Sequence, residues 1–167
     1  MKIPMACIHG SAVRLLLAIM FGLLVVSGYV VAPVLFAKAG SSHEAGRLAG
    51  EIFHVVNIGV IFMAVAVAAF WLRMKSMSRL NWGLLLVLGS LVAINEYGVS
   101  LMMTEIKHAA GPIDALADDD PLRQSFGMWH GISASIHLLA SLVAACLLLT
   151  GVHKRGDCHS KESCKES

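Results

Sequence analysis

The chain holds eight histidines, eleven Asp or Glu residues and four cysteines. Most of these lie in polar stretches. His54, Glu96, His130 and His137 instead interrupt long apolar runs, and Asn57 and Asn95 accompany the first two. Ionisable groups inside such runs are costly in lipid, which makes them functional candidates. Two imidazoles and a carboxylate can ligate a transition-metal ion. Two imidazoles on facing helices can hold a haem iron. The same groups can pass protons, because an imidazole changes charge near neutral pH. The competing reading is plain: each group reaches an interface or hydrogen-bonds a neighbouring helix. A weaker metal candidate is Cys158, His159 and Cys164, whose spacing fits no strong zinc pattern. Nine scattered methionines read as packing. No phosphate loop, dinucleotide fingerprint, nucleophile elbow or zinc-protease helix is present.

The elements that carry these groups are membrane spans. Of the 167 residues, 57% are hydrophobic and 14% are charged, against about 25% charged in soluble domains. Mean hydropathy is +0.73. A formal net charge of +2 argues for no polyanionic partner, so a nucleic-acid binder is disfavoured. The apolar runs are Leu15–Ala37, Ile52–Leu72, Leu80–Thr104 and Phe126–Val152, each enough for a helix crossing about 30 Å of hydrocarbon. No strand alternation occurs, and backbone in lipid must bond to itself, so the expected class is all-α. Asp120-Pro121 reads as the start of the fourth helix. Ser41-x-x-Glu44 reads as a capping box that starts the second before the membrane, and Pro33 is expected to kink the first.

Connections of about 14, 7 and 21 residues predict an up-down-up-down four-helix bundle. Lys2, Arg14, Arg73, Lys75, Arg79, Lys154, Arg155, Lys161 and Lys165 lie on one side of it, against Lys38, Arg47, Lys107 and Arg123 on the other. That bias places both termini in the cytoplasm. Residues 1–14 are then a cytoplasmic N-terminus, 15–152 the membrane domain and 153–167 a polar tail expected to be disordered. In this topology His54, Glu96 and His130 fall in the outer half of the bilayer, where they are expected to converge in one outward-facing pocket. Cys7, Cys158 and Cys164 face a reducing compartment, so no disulfide is expected. Ala37-Lys38-Ala39 resembles a cleavage site, but the preceding apolar run is too long for a signal peptide, so the first helix is read as retained.

Two further patterns concern packing. Gly127 and Gly131 form a G-x-x-x-G on the fourth helix, whose plain reading is close helix packing. Ser27-Gly28-Tyr29-Val30-Val31 and Asn95-Glu96-Tyr97-Gly98-Val99 fall at similar depth in the first and third helices. They form a weak repeat that two parallel-related hairpins would explain as well as chance.

Three stretches resemble the transmembrane protein 205-like family, described as a domain of unknown function. They are Val30–Phe36, Glu44–His54 and Pro121–Ser133, within a likeness covering roughly residues 12–150. The resemblance implies a small four-helix membrane protein and points to His54 and His130 as family positions. The family's frequent Thr-Pro after the third helix is absent at Met103-Thr104-Glu105, and an Asn is frequent where His137 stands. A fainter likeness runs to copper-resistance-D proteins. It extends to haem-containing protoporphyrinogen oxidases, whose first-span histidine has no counterpart in Leu15–Ala37. The leading reading is therefore a multi-pass protein of the cell inner membrane that binds or moves a small ligand, metal ion or proton. In that reading it is not an enzyme, and its thin wall of four helices favours a homo-oligomer. A haem-binding redox protein and a ligand-free structural or assembly factor are the alternatives.

Overall fold

The structure, a computed structural model, describes residues 5–74 and 77–151. Among them every regular element is helical and there is no strand. In order these are α1 (Met5–Val26), a π-helical turn (Ser27–Val31), α2 (Ala32–Lys38), α3 (Ser42–Met74), α4 (Arg79–Ile94), a second π-helical turn (Asn95–Val99), α5 (Ser100–Ala110), a 3₁₀ turn (Ile113–Ala115) and α6 (Pro121–Thr150). Joined through the π turns, they make four rods of 30 to 32 residues: His9–Lys38, Ser42–Arg73, Arg79–Ala110 and Pro121–Thr150. At 1.5 Å per residue each is about 45 Å long, more than the hydrocarbon core requires. Large apolar side chains cover the outside, with Leu149 83% and Phe62 72% exposed. Cys146 also faces outward. A surface of this kind is stable in lipid rather than water. The chain is a multi-pass membrane protein.

Local chemistry sets the helix ends. Asp120 Oδ1 accepts the Leu122 amide at 2.8 Å with Pro121 in the first turn. Ser41 Oγ accepts the Glu44 amide at 3.2 Å, and Ser78 Oγ the Asn81 amide at 3.3 Å. Gly111 ends α5 at φ +69°, a backbone conformation that favours glycine. These polar caps carry the helices beyond their apolar runs. The first connection is therefore shorter than expected, residues 39–41.

Spans one and three each pack against spans two and four, closing a four-helix ring. The core stripe of span one is Val13, Leu17, Met20, Leu24 and Ser27; that of span three is Asn81, Leu85, Leu88, Val92 and Asn95. Both run at spacings of four, three, four and three, and both end on the first residue of a π turn. Spans two and four mirror each other likewise. Asn57, Val60, Ala64, Val67 and Trp71 run at the spacings of His137, Ala140, Ala144, Leu147 and Gly151. Such spacing is common in bundles. The shared anchors, a π turn at one end of each stripe or a polar residue at the start, are not. The last pair is complementary in size: a Cβ on Gly151 would stand 3.3 Å from the Trp71 ring.

Beyond the π turns burial is sparse, and among the described residues there only Ala45 and Ala49 of α3 are buried. Ala32 donates its amide to the Ser27 carbonyl, and Ser100 to that of Asn95, five residues back instead of four. Pro33, with no amide hydrogen, follows the first of these and is exposed. Neither α2 nor α5 has a fully buried residue, and α6 has none before His137. There α2 packs on α3 and α5 on α6, with no comparable packing of α2 against α5 or α6. The bundle is tight from the π turns to the Trp71 end and splayed beyond them.

Candidate functional site

Polar residues collect where the tight half meets the splayed half. Glu96 is the second residue of its π turn and is buried, its side chain only 7% exposed. Its Oε1 pairs with Nδ1 of His54, and its Oε2 accepts from Nδ2 of Asn57 at 2.8 Å. His54 and Asn57 lie three residues apart on α3, the spacing that brings two side chains to one helix face. The His54 side chain is 59% exposed. One carboxylate in the core is thus connected through an imidazole to the protein surface. Asn95, one residue earlier, is buried, and its Oδ1 meets no donor in the protein.

His137 comes to the same level from α6. Its Nε2 donates to the Leu24 carbonyl at 2.9 Å, and its ring meets Phe53 edge-on at 5.2 Å. Gly28 makes room for it: a Cβ there would lie 2.4 Å from Nε2. Ser27 also donates to the Leu24 carbonyl, at 3.2 Å. Residue type alone left Gly28, Ser27 and Phe53 out of the candidate set. The π-turn repeat was the available signal for the first two.

The expected trio does not assemble. His54 and Glu96 meet, but His130 is exposed and stacks on Phe126, over which the Lys107 ammonium sits 5.6 Å from the ring centre. His130 lies in the splayed half of α6, where the helix face that buries His137 has no core to enter. Among the described residues no three His, Cys, Asp or Glu side chains form a metal-ligand group. A transition-metal site would lack its third protein ligand. His54 is bonded to Glu96 through Nδ1, His137 to the Leu24 carbonyl through Nε2, and His130 stacks on Phe126. The G-x-x-x-G also differs from its plain reading. Gly127 and Gly131 are exposed, and a Cβ on either would meet open space, so they bring no helix of this chain close. Cys158, His159 and Cys164 lie outside the described residues.

Residues 15–112 match the family described as "Domain of unknown function (DUF4149)", more than half of the chain. The chain belongs to that family. In this DUF4149 protein the matched stretch takes in both π turns and the whole His54–Asn57–Glu96 contact. It stops before α6, and so before His130 and His137. The match covers the first three spans and is to this family, not to the transmembrane protein 205-like or copper-resistance-D proteins. No curated protein and no solved structure matches the chain.

Proposed function

We propose that this protein carries protons through the membrane domain by way of His54 and Glu96. The observation behind the reading is a buried carboxylate bonded to an exposed imidazole on the neighbouring span. Charged groups within spans persist where they face a partner or a pathway. His54 takes a proton at its ring from the splayed side and passes one from Nδ1 to Glu96 Oε1. Asn57 holds Oε2 so that the carboxylate keeps its orientation during the transfer. Of the broader choices, a small ligand, a metal ion or a proton, the proton asks for no further protein ligand. The splayed half supplies the outward-facing entrance. The charge bias of the connections then puts both termini in the cytoplasm and the four helices in up-down-up-down order, in the cell inner membrane. The resemblance to the transmembrane protein 205-like family read from the sequence belongs to the same proposal. A thin four-helix wall makes a homo-oligomer the fitting assembly.

The test is proton flux in vesicles containing the purified protein, a potassium diffusion potential as driving force and a trapped pH dye as readout. Flux above that of empty vesicles is expected. Glu96→Gln, which keeps the shape and loses the carboxylate, lowers it at least tenfold, and His54→Ala lowers it as well. Glu96→Gln flux equal to wild type overturns the proposal.

A further inference from the structure

We infer that the buried polar layer at the level of the π turns is a binding site for one small monovalent cation, with Asn95 Oδ1 as a ligand. The inference shares Glu96 with the proton reading, but its test is read without proton flux. It starts from the repeat. The two hairpins, span one with span two and span three with span four, present their core stripes at the same spacings. Superposing the stripes equates Ser27 with Asn95 and Asn57 with His137. Each span thereby contributes one buried polar residue at the equivalent position of its stripe: Ser27 3%, Asn57 3%, Asn95 8% and His137 8% exposed.

The hydrogen bonds in that layer are unevenly used. Ser27 and His137 donate to the Leu24 carbonyl, and Asn57 donates to Glu96. Those donors are spent. What is left over is an acceptor: Asn95 Oδ1 is fully enclosed and meets no donor. It closes the stripe of span three, so it faces the interior with Leu85, Leu88 and Val92. A buried acceptor without a partner is costly to leave so. The next residue of the same π turn is Glu96, which brings one buried carboxylate to this level of the bundle. Two other buried polar atoms lack partners, Trp71 Nε1 and Asn81 Oδ1. Both lie at the opposite end of the core beside Thr150 and Gly151.

Charge selects the class of ion. One carboxylate and neutral oxygens suit a monovalent cation, whereas Ca²⁺ and Mg²⁺ sites gather more carboxylates or keep several waters. Broken helices at the interface of two repeats are where membrane proteins place such ions, using side-chain and unwound backbone oxygens. Here the breaks are the π turns, and Pro33 supplies no amide to the carbonyls one turn before it.

The experiment is a thermal-unfolding series of the purified full chain in detergent, in NaCl, KCl or choline chloride at equal ionic strength and fixed pH. NaCl or KCl is expected to raise the midpoint saturably, by about 5 °C or more above choline at saturation. Asn95→Leu is expected to abolish that rise, and Asn95→Asp to shift the half-maximal concentration downward. Coincident wild-type curves in the three salts, as for a site that holds water only, overturn the inference whatever the variants do. An undiminished rise in Asn95→Leu overturns it too. If Asn95→Leu does not fold, the direction of the shift in Asn95→Asp decides, an unchanged half-maximal concentration counting against. None of these outcomes depends on proton flux.

Discussion

A Cβ at position 28 would stand 2.4 Å from Nε2 of His137, closer than any real contact, and what it would meet is an engaged ring. His137 cannot withdraw without giving up the Leu24 carbonyl or its edge contact with Phe53. Gly28→Ala should therefore cost about 1–3 kcal/mol, read as a lowered unfolding midpoint in detergent. Placed in a His137→Ala background, the same change should cost less than half as much, because the ring it strikes is gone. Asn57→Leu tests the other side of the layer. It leaves Glu96 Oε2 without its donor and should also cost about 1–3 kcal/mol. Residue type made His54, Asn57, Glu96 and His137 visible in the sequence, since polar groups inside apolar runs declare themselves. Which of them touch was not visible. The partner of His137 is a backbone carbonyl, which every residue possesses. His130 and His137 are seven residues apart, close to one face of a straight helix, yet only the second has a core beside it.

Among the elements, the caps were legible and the breaks were not. Asp120-Pro121 and Ser41-x-x-Glu44 start helices where their chemistry says they should, because a side-chain oxygen and a missing amide act locally. Pro33, the expected site of a kink, instead follows a π turn inside a continuous helical run from His9 to Lys38. Nothing in Ser27–Val31 or Asn95–Val99 taken singly announces an extra residue per turn; only their similarity hinted that they share a role. With the ring exposed at the start of α2, Pro33→Ala should move the unfolding midpoint by no more than about 4 °C. Gly127→Leu with Gly131→Leu should behave alike, since both Cβ positions look into open space. A drop of more than about 4 °C in that double variant would mean that something outside this chain packs there.

At the scale of the molecule, the two hairpins are most alike where they are tight and most different where they are polar. The second residue of each π turn is Gly28 in one and Glu96 in the other. The residue each faces differs in the opposite sense: His137 lies against Gly28, and the shorter Asn57 reaches Glu96. Large with small and medium with medium fill equivalent crossings between a π turn and the span beside it. If the repeat governs this geometry, one crossing can be rebuilt as the other. Gly28→Glu alone would strike His137 and bury a carboxylate with no donor, a loss of about 3–5 kcal/mol by analogy with a broken buried pair. Adding His137→Asn should supply both space and a donor and recover at least half of the lost midpoint. Gly28→Glu with His137→Leu gives space but no donor, and should recover less. Equal midpoints for those two double variants would show that the matching stripes share spacing without sharing geometry. A clear advantage for Asn would show that the crossing of spans four and one is built to the same plan as the one that holds Glu96.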